Sequence, residues 1–308
     1  MPDSPAVRLE RARTSLEGLS VGDAFGDRWF FTQSTDPFVL IANRTLPTAV
    51  WEFTDDTQMA LSIVSILRQY GQIDQDKLAL SFGQHFERNR GYGPAMYSLL
   101  PILKAGKPWR QAAQNLFEGM GSFGNGAAMR VAPLGAYFSD DPQMASQQAQ
   151  LSAELTHAHP EGVAGAIAVA VAAAWAHRLH GSVTTPTRQE FLDRILPLIP
   201  FSEVSSKAAR ARAMESARAT LVSVTSQLGN GSGISAQDTV PYCLFCAGEY
   251  LDNYEEALWF TASGGGDIDT NCAIVGGIVA LYTGIEGIPA EWRSRREPLP
   301  EWPFTESA

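Results

Sequence analysis

The sequence predicts an all-α protein, an orthogonal multi-helix bundle. Three observations lead there. Apolar residues recur at helical spacing, as in Met59, Ile63, Ile66, Leu67 and Tyr70, which line up as one stripe. Alternating β-branched runs are nearly absent, and the best candidate for an extended piece, Val39 to Val50, is broken by Pro47. The 27 glycines and 18 prolines fall between periodic segments without a fixed period, so they punctuate helices and mark no repeat.

Taken in order, the first well-defined helix follows Thr54, which can cap it with Asp55 and Asp56 in its first turn, and Gly71 ends it. Further helices are expected over Lys77 to Glu87 and, after the Gly106-Lys107-Pro108 break, over Trp109 to Gly119. Gly162 to His180 reads as a long helix of small residues that can approach its neighbours closely. Phe191 to Leu198, Lys207 to Leu221, Asn253 to Thr261 and Thr270 to Tyr282 complete the set. Gly181 to Thr187 is a linker and the one place where a subdomain could begin. The segment after Pro289, rich in Pro, Arg and Glu, reads as a surface tail on an otherwise single domain spanning 1–308.

Bulk properties narrow the function classes. At 45% hydrophobic and 18% charged, the 308 residues have the balance of a globular chain with one large core. A formal charge of −10 argues against an extended nucleic-acid surface, which needs a basic patch, and leaves nucleic acid only as a modified substrate. A small anion remains compatible, because helix N-termini hold phosphates and bound cations reverse the local sign. Cys243 and Cys246 have the spacing of a zinc or redox pair, but their apolar setting and the lack of a second pair favour buried free thiols. The first 15 residues show no apolar signal region, and the Ala-rich run Val163 to Ala176 is short for a membrane span. A cytoplasmic protein without a membrane partner is the expectation.

Two acidic clusters carry the chemistry. Thr54-Asp55-Asp56-Thr57 and Asp267-Ile268-Asp269-Thr270 each lead into an apolar helix, the second after Ser263-Gly264-Gly265-Gly266. Hard cations such as Mg²⁺ take about six oxygen ligands. Short aspartates and a neutral threonine hydroxyl supply them without excess repulsion. Brought together, the clusters would form a two-metal site of Thr54, Asp55, Asp56, Asp267, Asp269 and Thr270, with ions about 3.5–4 Å apart. Helix capping at two unrelated places is the alternative. With no imidazole or thiolate in either cluster, magnesium, manganese or calcium is favoured over zinc.

A second group of residues suggests an anion site. The loop Gly121-Ser122-Phe123-Gly124-Asn125-Gly126 precedes an expected helix start at Ala127-Ala128-Met129-Arg130. Such a loop can aim N–H groups at phosphate. Phe123 can stack on a ring, and Asn125 can hold a ribose or a phosphate. No lysine stands where a nucleoside-triphosphatase loop needs one. In Thr156-His157-Ala158-His159, His157 is the candidate phosphate or ribose contact and His159 the surface residue. Asp23, in Gly22-Asp23-Ala24-Phe25-Gly26, can orient the metal shell or bind a helix end. Arg90-Gly91-Tyr92-Gly93 can line the same cleft. An inter-helix loop with a satisfied Asn125 and a capping His157 are the plain alternatives.

These stretches together resemble the ADP-ribosylglycohydrolase family, the group that includes dinitrogenase reductase-activating glycohydrolase, over about Arg11 to Gly284. The segment around Asp23 is similar to its N-terminal motif, and Thr54-Asp55-Asp56-Thr57 to its first metal motif. Gly124-Asn125-Gly126 with Ala128-Met129-Arg130 resembles its phosphate loop. His157 matches the histidine of its central motif, and Asp267, Asp269 and Thr270 resemble its second metal motif.

The resemblance implies an all-helical fold, two Mg²⁺ ions and hydrolysis of the glycosidic bond joining ADP-ribose to an acceptor. It implies that Thr54, Asp55, Asp56 and Asp269 hold one ion and Asp267, Asp269 and Thr270 the other, and it allows Asp56 to be shared. Asp55, Asp56 and Asp269 are then the catalytic carboxylates. Gly121 to Gly126 and His157 bind the diphosphate, with Phe123 near the adenosine side or a ribose. The expected partner is an ADP-ribosylated protein or other ADP-ribose conjugate. Some members that cleave serine-linked ADP-ribose carry a glutamate soon after the N-terminal motif. Here Asp27-Arg28-Trp29-Phe30-Phe31 has none, which leans toward arginine-linked substrates. A metal-dependent phosphoesterase and a non-catalytic ADP-ribose-binding module are the rival readings.

Overall fold

The computed structural model describes residues 3–31, 36–216 and 219–305. Among these residues the secondary structure is helical, and only two isolated β-bridges occur, Trp51 with Arg296 and Gly124 with Ser235. The chain opens with α1 (Pro5–Asp27), capped by Ser4, followed by the short α2 (Pro37–Ala42). Thr54 caps α3 (Asp55–Tyr70) by accepting from the Asp56 N–H, and Gly71 closes it in the left-handed region at φ 70°, as the sequence predicts. Next come α4 (Gln75–Gln84), α5 (Met96–Lys104), α6 (Trp109–Gln114), α7 (Ala132–Tyr137) and α8 (Pro142–Glu154). The second half holds α9 (Pro160–Leu179), α10 (Arg188–Ile195), α11 (Glu203–Ala213), α12 (Leu221–Leu228), α13 (Ala236–Glu249), α14 (Tyr254–Ser263), α15 (Ile268–Thr283) and α16 (Ala290–Arg295).

Two long contacts organise the bundle. α1 lies along α15, and the Tyr254 hydroxyl donates to the Gly18 carbonyl at 2.6 Å beside them. α9 runs through the centre, packed by α7, α8, α13 and α15. Its alanines let these helices come close, and it is buried without a break from Ala164 to Ala174. At 20 residues it is longer than the run read from the sequence, and its length and mean hydropathy of 1.4 match a membrane span, yet it is the core helix of this bundle. The three cysteines are free and buried in the same core.

Several elements differ from expectation. α1 is not anticipated because its second half, Ser15 to Gly26, is buried nearly all round and shows no amphipathic stripe. Val39 to Val50 contains the end of α2 and irregular chain, with no strand. The helix expected from Trp109 to Gly119 stops at Gln114, and Phe117 and Glu118 turn the chain at positive φ. The single helix expected over Lys207 to Leu221 is two, α11 and α12, with residues 217–218 between them outside the described set. Gly181 to Thr187 is a loop, and α10 folds straight back onto α9 and α13, so no subdomain begins there.

The described residues after Pro289, 290–305, are packed, not frayed. Trp292 is 2% exposed and stacks on Phe25 with ring centroids 4.6 Å apart. Trp51 and Trp259 close the same aromatic cluster. Four large rings bury far more apolar surface than the charged residues between them can forfeit by docking.

Candidate active site

The site begins at the crossing of α1 and α15. Gly26 lies so close to Asp269 that any Cβ there would collide with the Asp269 backbone. One turn earlier, Asp23 is fully buried. Its Oδ1 accepts from the Thr54 hydroxyl at 2.7 Å. Its Oδ2 accepts from the Thr57 hydroxyl at 2.5 Å and from the Thr54 and Thr57 N–H groups at 3.0 and 3.1 Å. Four donors therefore fasten the start of α3 onto α1. Both oxygens face α3, so Asp23 anchors this turn. Burial raises its pKa to about 6, against the lowering effect of the threonine hydrogen bonds.

The two acidic clusters meet. Thr270 and Asp56, 214 positions apart in sequence, approach to 3.5 Å, hydroxyl to Oδ1. Burial pushes the Asp56 carboxyl well above the carboxylate range, and the charges of Asp23, Asp269, Asp55 and Asp267 add to it. Asp55 and Asp269 are raised well above that range too, first by burial and then by neighbouring aspartates from both clusters. Asp267 is also raised by burial, while hydrogen bonds from Asn125, Asp269 and Thr270 counter the rise. Asp56 Oδ2 and Asp269 Oδ1 are buried with no hydrogen-bond partner. Orphaned carboxylate oxygens in a repelling cluster are what a cation satisfies.

The donor set is all oxygen, which suits a hard ion. No three of the described His, Cys, Asp and Glu side chains stand close enough together to form a finished ligand set. Arg90 and Gly91 complete this wall, as the Asp55 N–H donates to the Arg90 carbonyl at 2.7 Å. Gly91 lies against the Asp55 carboxylate.

The glycine loop sits beside the second cluster. Asn125 is buried, and its amide donates to Asp267 Oδ2 at 2.6 Å and to the Thr239 hydroxyl at 3.0 Å. Through its Nδ2 it ties the loop to the acidic cluster. Ser122, also buried, accepts the Gly124 N–H at 3.2 Å through its hydroxyl. Phe123 stays 38% exposed, edge-on to His159 at 5.5 Å.

His157 lies beneath the loop, and a Cβ on Gly126 would meet its ring at 2.8 Å. Its Nδ1 pairs with the Thr156 hydroxyl at 2.7 Å. Burial, helped by the charge of Arg130, lowers its pKa to about 3, so the imidazole is neutral. His159 is not a plain surface residue; it is half-buried and caps α9, its Nδ1 accepting from the Glu161 N–H.

Two contributors, Asn230 and Ile234, are not anticipated from sequence, and a third, Arg130, is named there only within the stretch that resembles the phosphate loop. Arg130, expected at a helix start, precedes α7 and is fully buried. It donates to the Ser152 carbonyl at 3.0 Å and the Thr156 hydroxyl at 2.8 Å and lies over Phe82. Its charge favours ionised Asp55. Asn230 and Ile234 belong to a second glycine-bearing loop. The Asn230 carbonyl accepts from the Asn271 amide at 2.7 Å, and the Ile234 carbonyl accepts from the Asn125 N–H at 3.3 Å. Ile234 takes φ 50° with its side chain 62% exposed, a strained backbone for a β-branched residue. The signal for this loop is the run Gly229-Asn230-Gly231-Ser232-Gly233 ahead of α13.

Comparison with known proteins agrees with this geometry. The family model described as ADP-ribosylglycohydrolase matches residues 4–305. ADP-ribosylhydrolase ARH3 of Xenopus tropicalis is 32% identical over 333 residues, covering 95% of this chain and 92% of that protein. The human protein of the same name is 29% identical, with coverages of 95% and 90%. A solved structure, titled ADP-ribosylglycohydrolase-related protein complex, superposes with a TM-score of 0.62 at 25% identity, over 93% of this chain and 92% of that one. With a family match across nearly its whole length and a fold to agree, the chain belongs to the ADP-ribosylglycohydrolase family of glycosidic-bond hydrolases.

Proposed function

We propose that the chain cleaves the glycosidic bond between ADP-ribose and an arginine side chain of a modified protein, using two Mg²⁺ ions, which Mn²⁺ can replace. The carrying observation is the meeting of the α3 and α15 first turns, with Asp56 and Asp269 each keeping one buried carboxylate oxygen unpartnered. Thr54, Asp55, Asp56, Asp267, Asp269 and Thr270 would hold the ions. Bound there, the ions supply counter-charge for the carboxylates and a Lewis-acidic grip on ribose hydroxyls.

The remaining work falls to the chain. The loop Gly121 to Gly126 offers backbone to the diphosphate, stiffened from below by neutral His157. Phe123 presents a ring face at the surface for the adenosine side. The carboxylate cluster stabilises oxocarbenium-like charge as the bond from the sugar carbon to the guanidine nitrogen breaks. Asp55 or Asp56 accepts a proton from the attacking water, whose hydroxyl bonds to that carbon, and one proton passes to the departing nitrogen, so that the net change is addition of water. Asp269 fixes the geometry. Arginine is favoured as acceptor because the turn after α1 lacks a glutamate, and Asp27 is already paired with Arg28 at 3.0 Å.

The test is release of free ADP-ribose from arginine-, serine-, nucleobase- and small-molecule-linked conjugates, each with Mg²⁺, Mn²⁺ or chelator. Release from the arginine conjugate is expected, abolished by chelator and reduced about 10³-fold or more by Asp55→Ala with Asp269→Ala. Faster cleavage of the serine conjugate would reassign the acceptor. Undiminished turnover in chelator would remove the ions from the scheme. Release of phosphate or a nucleoside monophosphate would make the chain a phosphoesterase.

A further inference from the structure

The segment that delivers Thr54 and Asp55 to the site is gripped by the C-terminal part of the chain. Trp51 donates its backbone N–H to the Arg295 carbonyl at 2.8 Å, and Glu297 returns its own N–H to the Trp51 carbonyl at 2.9 Å. The Glu297 carboxylate then accepts the Phe53 N–H at 2.8 Å, across 244 positions of sequence. The same carboxylate is paired with the Arg90 guanidinium. Arg90 Nη1 also donates to the Phe53 carbonyl at 2.9 Å, and the guanidinium lies 4.0 Å from the Phe53 ring centroid. The backbone carbonyl of Arg90 in turn receives the Asp55 N–H at 2.7 Å. Phe53 is thus held at both its N–H and its carbonyl, and Asp55 at its N–H, by one Arg90–Glu297 unit. The two side chains are only 16% and 22% exposed, so solvent screens the pair weakly.

We propose that Glu297 and Arg90 are positioning residues for the active site. They clamp residues 53–55 from the outer side, while Asp23 holds Thr54 and Thr57 from the inner side. The inference rests on the proposed hydrolase reading for its kinetic consequences but not for its structural one. Each side chain makes one direct hydrogen bond to the segment, and losing either also breaks the Arg90–Glu297 pair that fixes the other. A segment loosened in this way can shift by a fraction of an ångström, and misplacement on that scale is enough to slow chemistry strongly. The glycine loop is held by His157, Thr239 and Asp267 and not by this clamp, so substrate affinity should stay.

Glu297→Ala and Arg90→Ala are each expected to lower kcat about 10- to 100-fold with KM for an ADP-ribosylated protein changed by less than about 3-fold. Glu297→Gln keeps an acceptor for the Phe53 N–H and should recover much of the loss. Glu301→Gln, an exposed position four residues past Glu297, should leave both constants at wild-type values. Hydrogen exchange supplies a readout independent of turnover. In Glu297→Ala the amides of Phe53 and Asp55 should exchange faster, while peptides over residues 121–130 keep wild-type protection. Wild-type protection at Phe53 and Asp55, or an unchanged kcat, overturns the clamp. So does a parallel loss of KM and kcat that Glu297→Gln fails to relieve. If Glu297→Ala does not fold, the same comparison is decided on Glu297→Gln, in which weaker protection at Asp55 is still required. A wild-type chain inactive on every conjugate would refute the hydrolase reading alone, and exchange at Phe53 and Asp55 would still decide the clamp.

Discussion

Single residues carry the local electrostatics of this site, and His157 is the clearest case. Its ring is 6% exposed, wrapped by the glycine loop and close to the charge of Arg130. Its pKa falls from 6.5 to about 3, so the folded chain holds it neutral while the unfolded chain binds a proton below 6.5. Between those values the unfolded state carries more protons, so stability is lost as pH drops, by about 1.4 kcal/mol per unit. Urea unfolding of wild type and His157→Asn should therefore differ by a constant amount above pH 7. The wild-type advantage should shrink by about 2 kcal/mol by pH 5. A difference that stays flat with pH would show that this imidazole is not buried neutral. The sequence points to His157 but not to this role, because a histidine's burial depends on what covers it. Asn125 and Asp23 are alike in that respect. Both are legible as site residues, yet their partners, Asp267 and Thr239 for one and Thr54 and Thr57 for the other, lie at least 31 positions away.

At the scale of elements, the site is two helix starts and two glycine loops fixed to each other. α3 is readable end to end, since a threonine cap, acidic first turn, apolar stripe and terminal glycine all agree. α1 is not, because a helix buried on all sides has no periodic contrast to read. The loop Gly121 to Gly126 stands out by composition, whereas the loop over residues 229–235 gains its meaning from the hydrogen bonds that the Asn125 N–H donates to Ile234 and the Asn271 amide to Asn230. Gly126 shows how little room the first loop has. An added Cβ would lie 2.8 Å from His157 Cε1 and 2.9 Å from Nε2, inside van der Waals contact, so the ring or the loop must move. Gly126→Ala is expected to cost about 1–3 kcal/mol of stability. It should raise KM for ADP-ribose conjugates about 10-fold while kcat changes less, because the new methyl meets His157 and not the acidic turns. Steady-state kinetics with a thermal melt checks this, and an unaltered KM would separate the loop from substrate binding.

Across the whole molecule, the packing of α1 along α15 is what converts distant sequence into one cluster of carboxylates. Matching acidic turns ahead of apolar helices make a shared site readable from the sequence alone. Their meeting cannot be derived that way, since it depends on a helix the pattern hides and on a C-terminal strap that composition places at the surface. The cluster also has a thermodynamic signature. Asp55, Asp56 and Asp269 are pushed toward protonation by burial and by each other, so holding them ionised near neutral pH works against folding. A divalent ion that binds only the folded chain adds about 2.7 kcal/mol at a hundredfold excess over its dissociation constant. For a chain of this size that is a rise in melting temperature of a few degrees. Asp56→Asn with Asp269→Asn should invert the pattern. Relief of repulsion should let the double variant melt at or above wild type in chelator, and millimolar Mg²⁺ should no longer shift it. A variant that melts well below wild type in chelator, yet gains as much from Mg²⁺, would mean that these aspartates serve packing and that the cation binds elsewhere.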